Sequence, residues 1–330
     1  MAFEPHPFYR AADREGGHDP HLWGALLGRD FRRREQAVRT IRALEAEQEY
    51  ARALLVVLPR LHVWQRPFAG DALSLLGDVR FSPPYYLPEM IPVPGGVAIL
   101  GSDDYADERP EHAVEVGGFV LAQTPITQAA YAAFVEATGH RPPRGWRRGR
   151  PDPMQLNCPV VNVSARDAEA YCAWLSRETG HRYRLPTEAE WLLAARGAGN
   201  RRTFPWGNEA YTDTRANAWG ARPLKRLCAV GLFPEGRGPY GHDDLAGNVW
   251  EWCSSLYWPY PYRADDGRED PGADDEPRVM HGGSWRSRPF SIRCAARQGG
   301  LPTDSFEVVG FRVARDMSAS RSADAAERGI

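Results

Sequence analysis

The stretch from Arg278 to Arg315, RVMHGGSWRSRPFSIRCAARQGGLPTDSFEVVGFRVAR, constrains the fold more than any other part of the chain. It opens on Arg278-Val279-Met280-His281 and closes on Val308-Val309-Gly310-Phe311-Arg312-Val313. The β-branched and aromatic residues of these two runs suit a pleated, half-buried surface. Gly282-Gly283 lets backbone approach backbone closely just after the first run. Between the runs, Arg286, Ser287, Arg288, Phe290, Ser291, Ile292, Gly299, Gly300, Leu301, Thr303, Asp304, Ser305 and Phe306 follow neither the helical nor the strand period. The expectation is two strand ends holding a loop that displays its side chains.

A stretch of this kind needs a rigid frame, and the sequence marks one. Ser164 and Asp167 stand at capping-box spacing before Ala168, Tyr171, Cys172 and Leu175, and Gly180 sits where a left-handed stop is wanted. Thr187 and Glu190 repeat the device before Trp191, Ala194 and Ala195. Thr127 and Gly139 bound a third helix through Ala130, Tyr131, Phe134 and Val135. Strands are expected at Gly96 to Gly101 and through Val114, Val116, Phe119 and Leu121. The basic loop Arg144 to Arg150 reads as surface, the segment after Gly197 as loops, Asp265 to Glu276 as an exposed acidic loop, and 317–330 as a mobile tail.

The first ninety residues differ in character. From Phe31 to Leu58, Val38, Ile41, Leu44, Ala51, Leu54 and Leu55 fall at helical spacing, which predicts one long amphipathic helix. Its apolar side is expected to pack on a second helix near Gly70 to Leu76, with self-association as the alternative. Pro83-Pro84, Pro88, Pro92 and Pro94 stiffen a connector, so the expected division is a helical region over 1–90 and a main domain over 91–316.

Composition narrows the function. With 32 glycines and 28 prolines the chain exceeds ordinary usage, so much of it is turn and irregular structure. Eleven tryptophans and thirteen tyrosines say that this material is packed. A net charge of −2 offers no general attraction to nucleic acid or a membrane surface. Without a basic start followed by an apolar run, the expectation is a cytoplasmic protein. The five cysteines are dispersed and never spaced as CxxC, which fits buried thiols rather than disulfides or a zinc site. Ser284, His281 and Asp243 could be drawn as a hydrolytic triad, but no GxSxG elbow surrounds Ser284.

Five motifs then occur in order: RLPTEAEWLLAARG from Arg184, FPWGN from Phe204, LAGNVWEW from Leu245, HGGSW from His281 and GFRV from Gly310. Their order and spacing resemble the formylglycine-generating enzyme, or sulfatase-modifying factor, superfamily. Asp107 to Phe119 and Pro159 to Trp174 resemble its upstream segments. The resemblance covers about Met90 to Arg315. It implies an α+β, C-type-lectin-like fold with two helices, limited strands and much structured loop.

What the resemblance implies about activity is divided. Members that oxidise a client cysteine carry a copper-binding thiol pair just after GGS, because soft Cu(I) selects sulfur. Here Trp285 to Ile292 reads WRSRPFSI, without a cysteine, and Cys294 alone makes no pair, so no copper is expected. The sulfoxide-synthase branch holds iron on an HxxxHxE helix, and His6, His18, His21 and His62 lack that spacing. In the variable proteins of diversity-generating retroelements, the segment from GGSW to GFR is a displayed, mutated surface. The irregular residues given above are all of types that pyrimidine-ending codons specify, whereas Gln298 and Glu307 are not. The expectation is therefore a non-catalytic binding protein that presents Trp285 to Val308 to a protein or small-molecule ligand. A metal-dependent oxidase with an atypical site, built on Cys228, Cys253 and Cys294, is the alternative. The resemblance also implies a calcium ion on Gly247, Asn248, Val249 and Glu251, since a hard cation takes oxygen ligands. On the same reading Glu251 could instead pair with an arginine such as Arg293.

Overall fold

The computed structural model describes residues 19–220, 224–270, 272–273 and 275–317. His6, His18 and the tail from Ser318 lie outside them. The chain begins with four helices, α1 (Pro20–Leu26), α2 (Phe31–Ala43), α3 (Glu47–Val57) and α4 (Arg66–Leu76). The single helix expected over 31–58 is thus two. Glu45 takes a left-handed φ of 55°, and the Ala46 amide bonds back to the Ile41 carbonyl. Residues 42–46 would propagate a helix on propensity alone, but folding α3 back buries both apolar stripes, including Ile41 and Leu54. These stripes share one apolar cluster with Cys228, Ala229, Leu232 and Phe233 from the far part of the chain. Polar ties reinforce it: Asp71 of α4 pairs with Arg34 of α2 at 3.4 Å and with Arg226, and the buried Arg66 donates to the Thr214 carbonyl at 2.9 Å.

The remainder runs β1 (Met90–Val93), β2 (Gly96–Leu100), β3 (His112–Val116), β4 (Phe119–Ala122), α5 (Gln128–Thr138), α6 (Ala165–Thr179), β5 (Tyr183–Arg184) and α7 (Glu188–Arg196). It ends with β6 (Trp250–Leu256), β7 (Arg278–His281), β8 (Arg297–Gly300), β9 (Val309–Phe311) and β10 (Ala314–Asp316). One antiparallel sheet has the order β1-β4-β10-β5, β2 and β3 form a hairpin, and the third sheet has the order β8-β7-β6-β9, with β6 and β9 parallel. Both capping boxes form, at Ser164 with Asp167 and at Thr187 with Glu190, and Thr127 caps α5. Gly139 and Gly180 adopt the left-handed stop.

Three further expectations change. The strand expected from Pro110 to Leu121 breaks at Gly117-Gly118, and its halves enter different sheets. A Cβ on Gly118 would lie 2.8 Å from the Met317 sulfur, and the paired glycines supply no side chain to carry the strand through. Trp250–Leu256, read as loop, is a central strand of the third sheet; all but Ser254 are buried, so it shows no alternation. Arg297–Gly300, read as displayed loop, is an edge strand paired with β7. No helix among the described residues is long and apolar enough to cross a membrane.

Candidate ligand-binding face

The strands β7 and β9 enclose the displayed segment, and buried charge fixes them from behind. His281 of β7 stacks on Trp191 at 4.8 Å, and its ring bonds to Glu188 at 3.1 Å and to the Ala296 carbonyl. Glu188 also takes Arg297 of β8 at 2.9 Å and Tyr260 at 2.9 Å. Burial alone would raise the Glu188 carboxyl, but Arg297 and His281 outweigh it and hold it below the usual range. Arg312 meets Glu251 through two hydrogen bonds of 2.6 and 2.7 Å, with both side chains fully buried. Arg293 instead joins Glu108 at 2.6 Å and Asp104 at 3.1 Å, so it is not the partner of Glu251. A Cβ on Gly283, at φ 69°, would stand 2.5 Å from the Ile292 side chain. Only glycine lets this turn close over residue 292.

The frame grips the main chain of the displayed segment and leaves its side chains outward. The Trp285 amide donates to the Asn248 carbonyl, Trp219 to Ser287, Asn162 to Phe306, Arg166 to Pro302 and Trp250 to Val308. Arg286, Arg288, Phe290, Gly299, Leu301, Thr303 and Phe306 are exposed, while Trp285, Ser287, Ser291, Asp304, Ser305 and Val308 are half-buried. Ile292 and Gly300 are not displayed. Ile292 fills a small core with Phe204, Ala216, Ala218 and Ala246, and Gly300 makes room for the Trp252 ring, 2.8 Å from where a Cβ would sit. Sequence reasoning missed Trp219, which is exposed beside this face with Lys225 5.6 Å over its ring. A lone tryptophan in a loop carries no period that would have marked it.

The other candidate chemistries meet different fates. Ser284 bonds to Ser287, His281 to Glu188, and Asp243 to Arg237 at 2.8 Å, so each member of the drawn triad is engaged elsewhere. Most of the oxygens expected to hold calcium already have protein partners. Asn248 accepts from Asn217 at 3.1 Å and from the Cys228 amide, and both carboxylate oxygens of Glu251 face Arg312. The Gly247 and Asn248 carbonyls accept from Val249 and Trp285, so these residues as placed do not fit a calcium ligand set. All five thiols are free, and none is more than 3% exposed. Burial pushes Cys228 up to about 12 and Cys294 up to about 11. Cys228 lies in the helical cluster while Cys253 and Cys294 lie in the core around α7, so the three do not converge. Among the described residues no three His, Cys, Asp or Glu side chains gather as a metal site.

Residues 78–317 match the family model described as a sulfatase-modifying factor enzyme 1-like domain. The chain belongs to the sulfatase-modifying factor family. It is similar to the mouse formylglycine-generating enzyme, with 31% identity over 71% of this chain and 76% of that protein. It is equally similar, at 31% over 68% of this chain, to a hercynine oxygenase of Mycolicibacterium smegmatis, of which it spans 60%. Among solved structures, PvdO from Pseudomonas aeruginosa superposes with a TM-score of 0.57 and 30% identity, over 70% of this chain and 95% of that one. Treponema denticola variable protein 1 shares the fold at a TM-score of 0.54 and 22% identity, over 69% and 95%. The C-type-lectin-like, α+β architecture expected from the motifs is thus the family's own fold.

Proposed function

We propose that this member of the family is a binding protein. It presents the face from Trp285 to Val308, extended by Trp219, to a protein or small-molecule ligand. The observation that carries the reading is a division of labour. The frame holds the segment through main-chain hydrogen bonds, while Arg286, Arg288, Phe290, Leu301, Thr303 and Phe306 face solvent without a structural task beyond Arg286 pairing with Glu307 and stacking on Trp285 at 4.7 Å. Rigid aromatic and arginine side chains on a fixed backbone are what ligand contacts use. The same division suits diversification by a retroelement, since residue types can change there while the main-chain bonds persist.

The test is a displayed library varied at those six positions and selected against unrelated target proteins. Most members are expected to stay folded and some to gain new binding; a majority of unfolded members would sink the reading. In the gene, pyrimidine-ending codons at these positions beside a template repeat and a reverse transcriptase are expected if the segment is diversified. The oxidase alternative draws support from the enzymes named among the relatives. It needs a thiol in reach of solvent, and stoichiometric copper or iron bound through cysteine in purified protein would favour it.

A further inference from the structure

One end of the displayed segment closes a cleft of about 320 Å³, and the opposite wall comes from the frame. Thr303 and Ser305 line it together with Arg141, Arg144 and Tyr131. The guanidinium groups of Arg141 and Arg144 form no ion pair among the described residues, and both residues are exposed. Tyr131 is fully buried, yet its hydroxyl has no hydrogen-bond partner. Burial and the nearby Asp167 push its pKa up, so it remains a donor. That hydroxyl is sealed from solvent, so the donors the cleft offers to a ligand are the two guanidiniums. Asp167 is the acid in the lining. Its carboxylate is occupied by His140 at 2.8 Å and by the amide and hydroxyl of Ser164.

We propose that this cleft takes a carboxylate side chain of an acidic peptide segment in the ligand, held by Arg141 and Arg144 and selected by the residues at 303 and 305. The inference rests on the binding-face reading and names the chemistry that one end of the face prefers. Two unpaired guanidiniums suit planar carboxylate oxygens. Phosphate at a helix start would look for free backbone amides, and here two of the first α6 amides are taken. Asp167 N donates to Ser164 Oγ, and Arg166 N donates to the Pro302 carbonyl.

The test is calorimetric titration of the full chain with a hexaglutamate peptide, in low salt and in 0.5 M salt. Saturable binding is expected, weakened at least tenfold by salt and at least tenfold by the double change Arg141→Ala with Arg144→Ala. Arg60→Ala, which removes an exposed arginine of the helical region away from the cleft, should bind as the parent does. Ser305→Asp should abolish binding by putting a carboxylate into the cleft. No saturable binding, or equal binding by the double variant, overturns the proposal. Inorganic phosphate that competes at concentrations comparable to the peptide overturns the choice of carboxylate. The library in the preceding section does not vary 141, 144 or 305. Failure here with success there removes the cleft's preference and leaves the display reading standing.

Discussion

Arg312 and Glu251 show how a buried pair can be indispensable without being a net gain. Both are fully buried, and the remaining guanidinium donors reach the Ala122, Gln123 and Asp243 carbonyls at 3.0 to 3.1 Å. Removing one partner leaves the other charge buried and unpaired, at a cost of about 3–5 kcal/mol. Arg312→Met is therefore expected to lower unfolding free energy by that amount in urea titration, and a loss under 1 kcal/mol would contradict the pairing. Neither residue's role was legible from its own position. The motifs containing them were plain, but they lie 61 residues apart, and an arginine near the second motif, Arg293, looked as good a partner until the fold brought Glu108 to it. Local devices were legible because their partners sit three residues away. The Ser164–Asp167 and Thr187–Glu190 boxes form as read.

The displayed segment separates positions that hold shape from positions that do not. The triple change of Phe290, Leu301 and Phe306 to serine removes exposed side chains only, so each is expected to contribute within about 0.5 kcal/mol and Tm to move by a few degrees at most. Gly283→Ala, by contrast, puts a Cβ 2.7 Å from the Ser291 carbonyl at a φ of 69° and should destabilise by more than 1 kcal/mol. Thermal melts of the two variants check the contrast, and a triple variant that melts lower than Gly283→Ala would reverse the assignment. The sequence showed the two ends of this segment through their apolar runs but hid β6 and β8. Trp250–Leu256 is buried on both faces and so lacks the period-two signature, and Arg297–Gly300 ends in two glycines that carry no pattern at all. The break between α2 and α3 was hidden for the opposite reason: the helical period runs straight through it, and only long-range burial bends the chain.

At the level of the molecule, the folding equilibrium should carry the signature of one carboxyl. Burial beside Asp243 pushes Asp244 up to about 7, while an unfolded aspartate titrates near about 3.9. The folded chain thus holds a proton that the unfolded chain releases. Its stabilisation is full below about pH 4 and is lost as pH rises through 7. Asp244→Asn keeps an acceptor for the Gly231 amide and suits the left-handed φ of 57°. It should flatten the fall in stability between pH 4 and 7, a fall on the order of 4 kcal/mol in the parent for a pKa raised by about three; an unchanged slope would assign the titration elsewhere. Fold class was legible from the order of the five motifs, whereas the seating of α1 to α4 on residues 228–233 was not, because nothing local announces it. That seating has a practical side. A fragment trimmed to the family match would strip the cover from Leu232 and Phe233 and bring the sulfur of Cys228 to the outside, turning a quiet interior into a greasy, oxidisable patch.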